Sequence, residues 1–172
     1  MSQPGFSHVG LSTLDMDATM DFYENVLGFP AVRCDIWEVA EGGRIRHVFF
    51  DAGGGQMIAF MEPCGVEGIP DDYDPGINRG LGVPSGFYHF AFEAGSPEGL
   101  RAKRSELLDR GVRVTDVVDH EWCESIYFRD PNGIELEYCC ITRALGVDDA
   151  RMQVRATIST EERPKSRTFK DE

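Results

Sequence analysis

The chain contains one pattern twice, and this internal repeat constrains the fold more than any other feature. A strand-like segment carrying His8 is followed seven residues later by Asp15, which can begin a helix. The second copy has the same spacing between His89, in the segment FYHFAFE, and Ser96. A glycine ends each predicted helix, and strand-like segments follow. Such a repeat indicates two copies of one unit, strand-helix-strand-strand-strand.

The repeat predicts an α+β fold made of two tandem βαβββ modules, at about residues 5–62 and 86–142. The Gly-, Pro- and Asp-rich stretch 63–85 would link them, and the polar stretch 143–172 would be a solvated C-terminal tail. We expect one domain over residues 1–142, in which the two sheets combine into a cupped mixed sheet. The two first strands, each with its histidine, would line the cup.

A predicted hairpin lies within residues 118–138, VDHEWCESIYFRDPNGIELEY. The turn sequence Asp-Pro-Asn-Gly separates two strand-like runs, with Pro131 presetting φ and Gly133 accepting a positive φ. Side chains alternate along a strand, so Glu135 and Glu137 share one face. Inward-facing carboxylates are costly to bury unless a cation or a donor satisfies them, and a metal ion would do so.

Composition argues against several classes of partner. The net charge of −13 disfavours binding to DNA or RNA. There is no apolar run of membrane-spanning length and no secretory pattern at the N-terminus, so no membrane partner is expected. The five cysteines form an odd set without a CxxC pair, which favours free thiols and a cytoplasmic location.

The hairpin segment resembles the signature of the type I extradiol ring-cleaving dioxygenases. That signature is a histidine, a hydrophobic residue followed by tyrosine, an acidic-Pro-x-Gly turn and a glutamate. Here these are His120, Ile126 and Tyr127, the turn 130–133, and Glu137. These enzymes belong to the vicinal oxygen chelate superfamily, which also holds glyoxalases, fosfomycin-resistance enzymes and metal-free bleomycin-binding proteins. The resemblance covers about residues 5–142.

The resemblance implies a metal site in the cup, with His8, His89 and Glu137 as ligands. Two histidines and one carboxylate on one face of an octahedral ion leave three positions open, which suits Fe(II) binding both a bidentate substrate and O2. Mn(II), Co(II) and Ni(II) fit the same ligands. His120 would hydrogen-bond the ionised oxygen of the substrate, and Tyr127 would donate to the reacting oxygens, so both are candidate catalytic residues.

Two positions in the first module distinguish relatives. Glyoxalases carry a fourth ligand where this chain has Ala59, so the alanine argues against a glyoxalase. Ring-cleaving enzymes usually carry an acid/base histidine three residues earlier, where this chain has Gln56. Glutamine can hydrogen-bond a substrate, but it cannot deliver a proton as imidazole does. Gln56 is therefore a candidate substrate-binding residue.

The leading hypothesis is a metal-dependent extradiol-type dioxygenase that cleaves a catechol or another vicinal-oxygen substrate with O2. Two alternatives stay open. One is a lyase or isomerase that uses a redox-inert divalent ion as a Lewis acid. The other is a metal-free module that binds a drug or metabolite. We expect a homodimer, because single-chain relatives often pair and an open sheet edge gains from pairing.

Overall fold

The computed structural model describes residues 5–152 and 154. Within these residues the chain forms two compact units. The first comprises residues 5–88 together with 130–134, and the second comprises residues 89–129 and those from 135 onward. The predicted polar tail, residues 143–172, lies outside the described residues at 153 and from 155 onward.

The first unit contains one four-stranded mixed sheet. Its elements are β1 (His8–Ser12), α1 (Met16–Asp21) with a π-helical turn (Phe22–Val26), β2 (Ala31–Glu38), β3 (Arg44–Gly53), β4 (Gln56–Cys64) and α2 (Ile77–Gly80). The strand order is β1-β4-β3-β2; β1 runs parallel to β4, and the other pairs are antiparallel. This is the order of one βαβββ module.

One face of this sheet packs against the helical segment. Asp15 begins α1 as predicted, since its carboxylate accepts a hydrogen bond from the backbone N–H of Ala18 at 2.9 Å. The buried ring of Tyr23 then lies 5.3 Å from that of Phe50 and 4.9 Å from that of Phe60. Because side chains alternate along a strand, His8 projects from the opposite face of the sheet.

The second unit repeats the module. Its elements are β5 (Phe90–Glu93), α3 (Pro97–Asp109), β6 (Val118–Asp119), β7 (Cys123–Arg129) and β8 (Glu135–Ile141). The strand order is β5-β8-β7-β6, with β5 parallel to β8. Ser96 caps α3 through the N–H of Gly99 at 3.0 Å, and Leu100 and Leu107 are buried. The predicted α+β class and the tandem βαβββ modules are confirmed, each module with its own four-stranded sheet.

The strand predicted for residues 87–93 begins later, so His89 lies just before β5 and not within it. The cause is the buried side chain of Asn78. Its amide nitrogen donates to the Tyr88 carbonyl at 2.7 Å, and its amide oxygen accepts from the Tyr88 N–H at 2.9 Å. Because both backbone groups of Tyr88 are bound by this side chain, they are taken out of the strand ladder.

The hairpin turn is also longer than predicted. Strand β7 ends at Arg129 and β8 begins at Glu135, which leaves a five-residue connection, Asp130–Ile134. The Asp130 carboxylate accepts hydrogen bonds from the backbone N–H groups of Asn132 and Ile134, both at 2.9 Å, so the side chain competes with the strand ladder. Gly133 has the positive φ that was predicted, at 80°.

The turn is buried in the first unit by a network of polar side chains. Thr13 donates to the Asn132 side-chain oxygen at 2.7 Å, and the Asn132 amide donates to Thr19 at 3.2 Å. The hydroxyl of Tyr23 donates to Asp130 at 3.3 Å. Burial raises the pKa of Asp130 to about 6, although hydrogen bonds from the Asn132 and Tyr23 side chains and from the Asn132 and Ile134 backbones act to lower it.

The five cysteines are free thiols, as predicted. Among the helices in the described part of the chain, none is long and apolar enough to span a membrane.

The raised pKa of Asp130 predicts a stability that depends on pH. Between about pH 4 and pH 6 the folded protein holds a proton at Asp130 that the unfolded chain has lost, so the free energy of unfolding falls as the pH rises. A shift from 3.8 to about 6 corresponds to about 3 kcal/mol. We expect Asp130→Asn to remove this part of the slope in urea unfolding measured across the window. The exposed residue Asp71 supplies the control, because Asp71→Asn should keep the wild-type slope. An unchanged slope in Asp130→Asn would contradict the assignment.

Candidate functional site

The position of Glu137 is set by two strand ladders. On β8 it lies opposite Tyr127 of the antiparallel strand β7, and beside Ala91 of the parallel strand β5. Residues directly opposite each other in a sheet project from the same face, so Tyr127 and Glu137 share one face. Both side chains are buried, with 3% and 5% of their surface exposed.

His89 forms a direct contact with Glu137. Its Nε2 lies 3.1 Å from Glu137 Oε2, and a hydrogen bond from Ser125 also reaches this carboxylate. Burial acts to raise the pKa of Glu137, but the hydrogen bonds from His89 and Ser125 outweigh it, so the pKa lies below its ordinary value. Glu137 is therefore ionised at neutral pH and can act as a ligand or an acceptor.

His120 and Tyr127 form a second pair on this face. His120 Nε2 lies 2.9 Å from the Tyr127 hydroxyl oxygen. The backbone of His120 is fixed in the β6–β7 turn, where its N–H donates to the Cys123 carbonyl at 2.9 Å. The Tyr127 ring is 6.2 Å from the ring of His89 and 6.3 Å from that of His120, centre to centre. The second unit thus brings His89, His120, Tyr127 and Glu137 together.

The other two predicted site residues belong to the first unit. His8 lies on β1, with Nδ1 3.1 Å from the Ser7 hydroxyl oxygen. Gln56 is exposed at the start of β4, where alternation gives it the orientation of Ile58 and not of Ala59. No group of three His, Cys, Asp or Glu side chains in the described residues is arranged to hold a metal ion. The ligand role of His8 and the substrate role of Gln56 stay predictions.

The two modules correspond in register but differ in chemistry. Ala59 pairs with Gly10, two residues after His8, whereas Glu137 pairs with Ala91, two residues after His89. Ala59 therefore occupies in the first sheet the position that Glu137 occupies in the second. A carboxylate is present in one copy and a methyl group in the other.

Sequence reasoning missed a cavity of about 610 Å³ in the second unit. It is lined by Asp119, His120, Glu121, Trp122, Arg143, Leu145, Gly146, Asp149 and Ala150. Its outer part belongs to the stretch that was predicted to be a solvated tail. Arg143 and Asp149 close that loop through two contacts of 2.9 and 2.8 Å. The loop has no strand or helix periodicity. The opposite charges of Arg143 and Asp149 are the sequence signal that could have predicted its closure.

The cavity and the buried cluster share His120. The residue that lines the cavity, His120, is the one whose Nε2 lies 2.9 Å from the Tyr127 hydroxyl oxygen. Ser125, also missed, could have been recognised because it lies two residues before Tyr127 on the same strand face. The cavity therefore adjoins the histidine-tyrosine pair through His120.

The residues present fit a divalent ion in part. His89 Nε2 and Glu137 Oε2 lie side by side at 3.1 Å, the distance of a hydrogen bond. One imidazole nitrogen and one carboxylate oxygen are also donors that Fe(II) and similar ions accept.

Comparison with known proteins places the chain in a family. The model of the Glyoxalase/Bleomycin resistance protein/Dioxygenase superfamily matches residues 5–138. The chain belongs to this superfamily. The superfamily membership inferred from the hairpin signature is thus confirmed, while closeness to the ring-cleaving members stays a prediction. Comparison with curated proteins found no match.

Several solved structures share the fold. A glyoxylase/bleomycin resistance protein/dioxygenase domain from Frankia sp. EAN1pec is 22% identical, with a TM-score of 0.59 over 81% of this chain and 99% of that one. The fosfomycin resistance protein FosX from Listeria monocytogenes is 21% identical, with a TM-score of 0.55 over 83% and 96%. TnmS3, an antibiotic binding protein from Streptomyces sp. CB03234, is 18% identical, with a TM-score of 0.55 over 83% and 99%.

The hydrogen bond between His120 and Tyr127 predicts a difference between two buried tyrosines. Tyr127→Phe removes a hydroxyl bonded to His120, so we expect the free energy of unfolding to fall by about 1 kcal/mol. Tyr138 is the matched control, because its buried hydroxyl has no hydrogen-bond partner among the described residues. Tyr138→Phe should leave stability unchanged or raise it. Urea unfolding of both variants measures this, and equal losses would show that the His120 contact adds no stability.

Proposed function

We propose that this protein is a metal-dependent enzyme that opens a catechol-type ring with O2, as extradiol dioxygenases do. The observation that carries the proposal is the pairing of His120 with Tyr127 beside the His89–Glu137 contact, on one face of the second sheet. A proton-transfer pair next to two metal-ligand types is the combination that ring cleavage needs.

The proposed ligands are His8, His89 and Glu137, with Fe(II) as the ion and Mn(II), Co(II) or Ni(II) fitting the same donors. Once bound, the ion would hold the two adjacent oxygens of the substrate beside O2. Glu137 supports this role because its pKa is lowered, which keeps the carboxylate charged. The third donor must come from outside the second unit, either from the same chain or from a second copy.

His120 and Tyr127 are proposed to handle the proton of the substrate. The contact of 2.9 Å lets a proton pass between His120 Nε2 and the Tyr127 hydroxyl, in a direction set by the histidine tautomer. Tyr127 is 3% exposed, so its hydroxyl is largely shielded from water. His120 also lines the cavity, from which a substrate hydroxyl would reach it. Gln56 is proposed to hydrogen-bond the substrate.

Binding without catalysis is the second candidate. It is favoured because no three donor side chains converge within the described residues and because the cavity of about 610 Å³ has the size of a small-molecule site. The name of TnmS3 describes an antibiotic binding protein, and that of FosX describes a fosfomycin resistance protein.

A lyase or isomerase that uses a redox-inert ion is a third candidate. It is favoured by Gln56, because a glutamine side chain cannot transfer a proton as an imidazole can.

Metal content tests the ligand set. We expect His8→Ala, His89→Ala and Glu137→Gln each to abolish stoichiometric Fe(II) binding after anaerobic loading, because each removes one of three protein donors. Glu135 is a buried carboxylate two residues before Glu137 and provides the control. Glu135→Gln should retain the metal. Loss in Glu135→Gln with retention in Glu137→Gln would contradict the proposed ligand.

The same variants test the predicted homodimer, whose mass would be twice the chain mass of 19.2 kDa. Mixed dimers of a His8→Ala chain and a Glu137→Gln chain contain one intact ligand set if the site is shared between copies. Such dimers should then recover half of the metal. If each site lies within one chain, no metal is recovered. A monomer by light scattering would contradict the dimer.

Oxygen uptake with a catechol panel tests the reaction. After Fe(II) loading, His120→Phe should lower turnover by about 100- to 10,000-fold, the usual contribution of acid-base assistance, and leave metal content unchanged. Tyr127→Phe should cost less, because it removes one hydrogen bond and keeps the ring. Gln56→His should raise the rate or leave it unchanged. If Fe(II)-loaded wild type and Gln56→His both consume no O2 with any catechol, ring cleavage is excluded in favour of the other candidates.

A further inference from the structure

The first sheet has an open edge at its last strand. Strand β2 ends the order β1-β4-β3-β2, and among the described residues it pairs only with β3. Its apolar side chains face water: Ile36 keeps 63% of its surface exposed, Val32 keeps 54% and Trp37 keeps 46%. A strand edge with unpaired backbone groups and exposed apolar side chains is a template for pairing with another strand.

The hairpin turn shows which backbone groups of β2 point outward. The N–H of Val39 donates to the Gly43 carbonyl at 3.1 Å, so these two residues form a hydrogen-bonded pair. In an antiparallel ladder such pairs alternate with pairs whose N–H and C=O groups point away from the partner strand. Counting back from Val39, the outward residues are Cys34, Ile36 and Glu38. No backbone group in the described part of the chain binds these outward groups.

Both ends of this edge are bounded. A β-bulge between Ala31 and Arg33 interrupts the ladder on one side, and Pro30 before it has no N–H. On the other side the strand ends at Glu38 and the turn begins. The free part of the edge is therefore a short regular segment centred on Ile36. A partner strand must match this length and this centre.

A second copy of β2 meets that requirement. When two copies run antiparallel with Ile36 on the twofold axis, Ile36 lies opposite its own counterpart, and Cys34 lies opposite Glu38. Every outward residue then faces an outward residue, so each of these pairs can exchange both of its N–H···O=C bonds. The pairing also covers the most exposed apolar side chain of the strand with an identical one.

Charge and backbone chemistry disfavour the neighbouring registers. An axis through Asp35 would place two carboxylates directly opposite each other, which is destabilising. An axis through Cys34 would extend the ladder onto the bulge and onto Pro30 of the second copy. With Ile36 on the axis no like charges lie directly opposite each other. The carboxylate of Asp35 keeps its own counter-charge, because Arg33 Nε of the same chain lies 2.6 Å away.

We propose that this protein pairs with a second copy of itself along β2, in the antiparallel direction and with Ile36 on the twofold axis. The homodimer predicted from the sequence leaves the contact surface open, and this pairing supplies it. Strand β2 carries none of the proposed metal ligands, and β1 with His8 lies at the opposite edge of the sheet. The pairing therefore goes beyond the proposed function and does not rest on it.

Disulfide trapping tests the register. Ile36→Cys in a Cys34→Ser background places two thiols directly opposite each other, with Cα atoms about 5.5 Å apart, which a disulfide can span. Diamide, which takes up the two thiol hydrogens, should convert this variant into a covalent dimer on a non-reducing gel. In wild type Cys34 would lie about 14 Å from its counterpart, four residues along the strand, so it should not cross-link. Cys34→Ser alone controls for the other cysteines.

Charges on the axis test the pairing in solution. Ile36→Lys places two ammonium groups opposite each other and removes an apolar pair, so the dimer dissociation constant from sedimentation should rise about tenfold or more. Ile36→Glu should act in the same way. An equimolar mixture of the two variants should recover the dimer, because unlike charges then face each other, and this recovery shows that both chains are folded. Leu81→Lys, at another exposed apolar residue, should keep the wild-type dimer.

Three results would overturn the proposal. A wild-type chain that sediments as a monomer would remove both the pairing and the predicted homodimer. Ile36→Lys that dimerises like wild type would move the contact to another surface and leave the homodimer prediction intact. Cross-linking through Cys34 of wild type, without cross-linking of Ile36→Cys, would reject the register. None of these measurements depends on metal content or oxygen uptake, so they can fail independently of the proposed function.

Discussion

The hydrogen bonds of one carboxylate, that of Asp130, fix the turn on which the candidate site depends. By accepting from the backbone N–H groups of Asn132 and Ile134, it sets where β7 ends and where β8 begins. The register of these strands then puts Tyr127 opposite Glu137. A slip of one residue would turn Glu137 to the other face, away from Tyr127, so the site requires this turn. Burying Asp130 is costly, and the side chains of Tyr23 and Asn132 offset that cost by donating hydrogen bonds to it, while Thr13 and Thr19 hold Asn132 in place.

The two modules use one scaffold for different surfaces. In each module a histidine lies two residues before the first-strand residue that pairs with the last strand, at Ala59 in the first sheet and Glu137 in the second. Hydrogen bonds from His89 and Ser125 reach Glu137, whereas Ala59 is paired with Phe49, whose ring contacts those of His8 and His47. The same register thus carries a bound carboxylate in one copy and a methyl group beside aromatic rings in the other.

The features that the sequence predicted well are those set by neighbouring residues. Asp15 and Ser96 begin helices through N–H groups three residues away, and Gly133 takes a positive φ because its turn demands it. The predicted start of β5 was wrong because the side chain of Asn78, ten residues from Tyr88, binds the Tyr88 backbone. Four predicted site residues come together because a hairpin and one neighbouring strand carry them. The loop containing Arg143 has no periodicity, so nothing local predicted that it walls a cavity. The roles of His8 and Gln56 require more than the pattern within one module.

The contact between His89 and Glu137 has a further consequence for metal binding. An ionised carboxylate can only accept hydrogen bonds, so His89 Nε2 must carry the hydrogen in this contact. A ligating nitrogen must instead offer its lone pair, so an ion at this pair would take the place of that hydrogen. The separation of 3.1 Å is that of a hydrogen bond, which keeps an imidazole nitrogen and an ionised carboxylate side by side on this face. In a neutral imidazole the hydrogen would have to move to Nδ1, so an ion at this pair would require the other tautomer of His89.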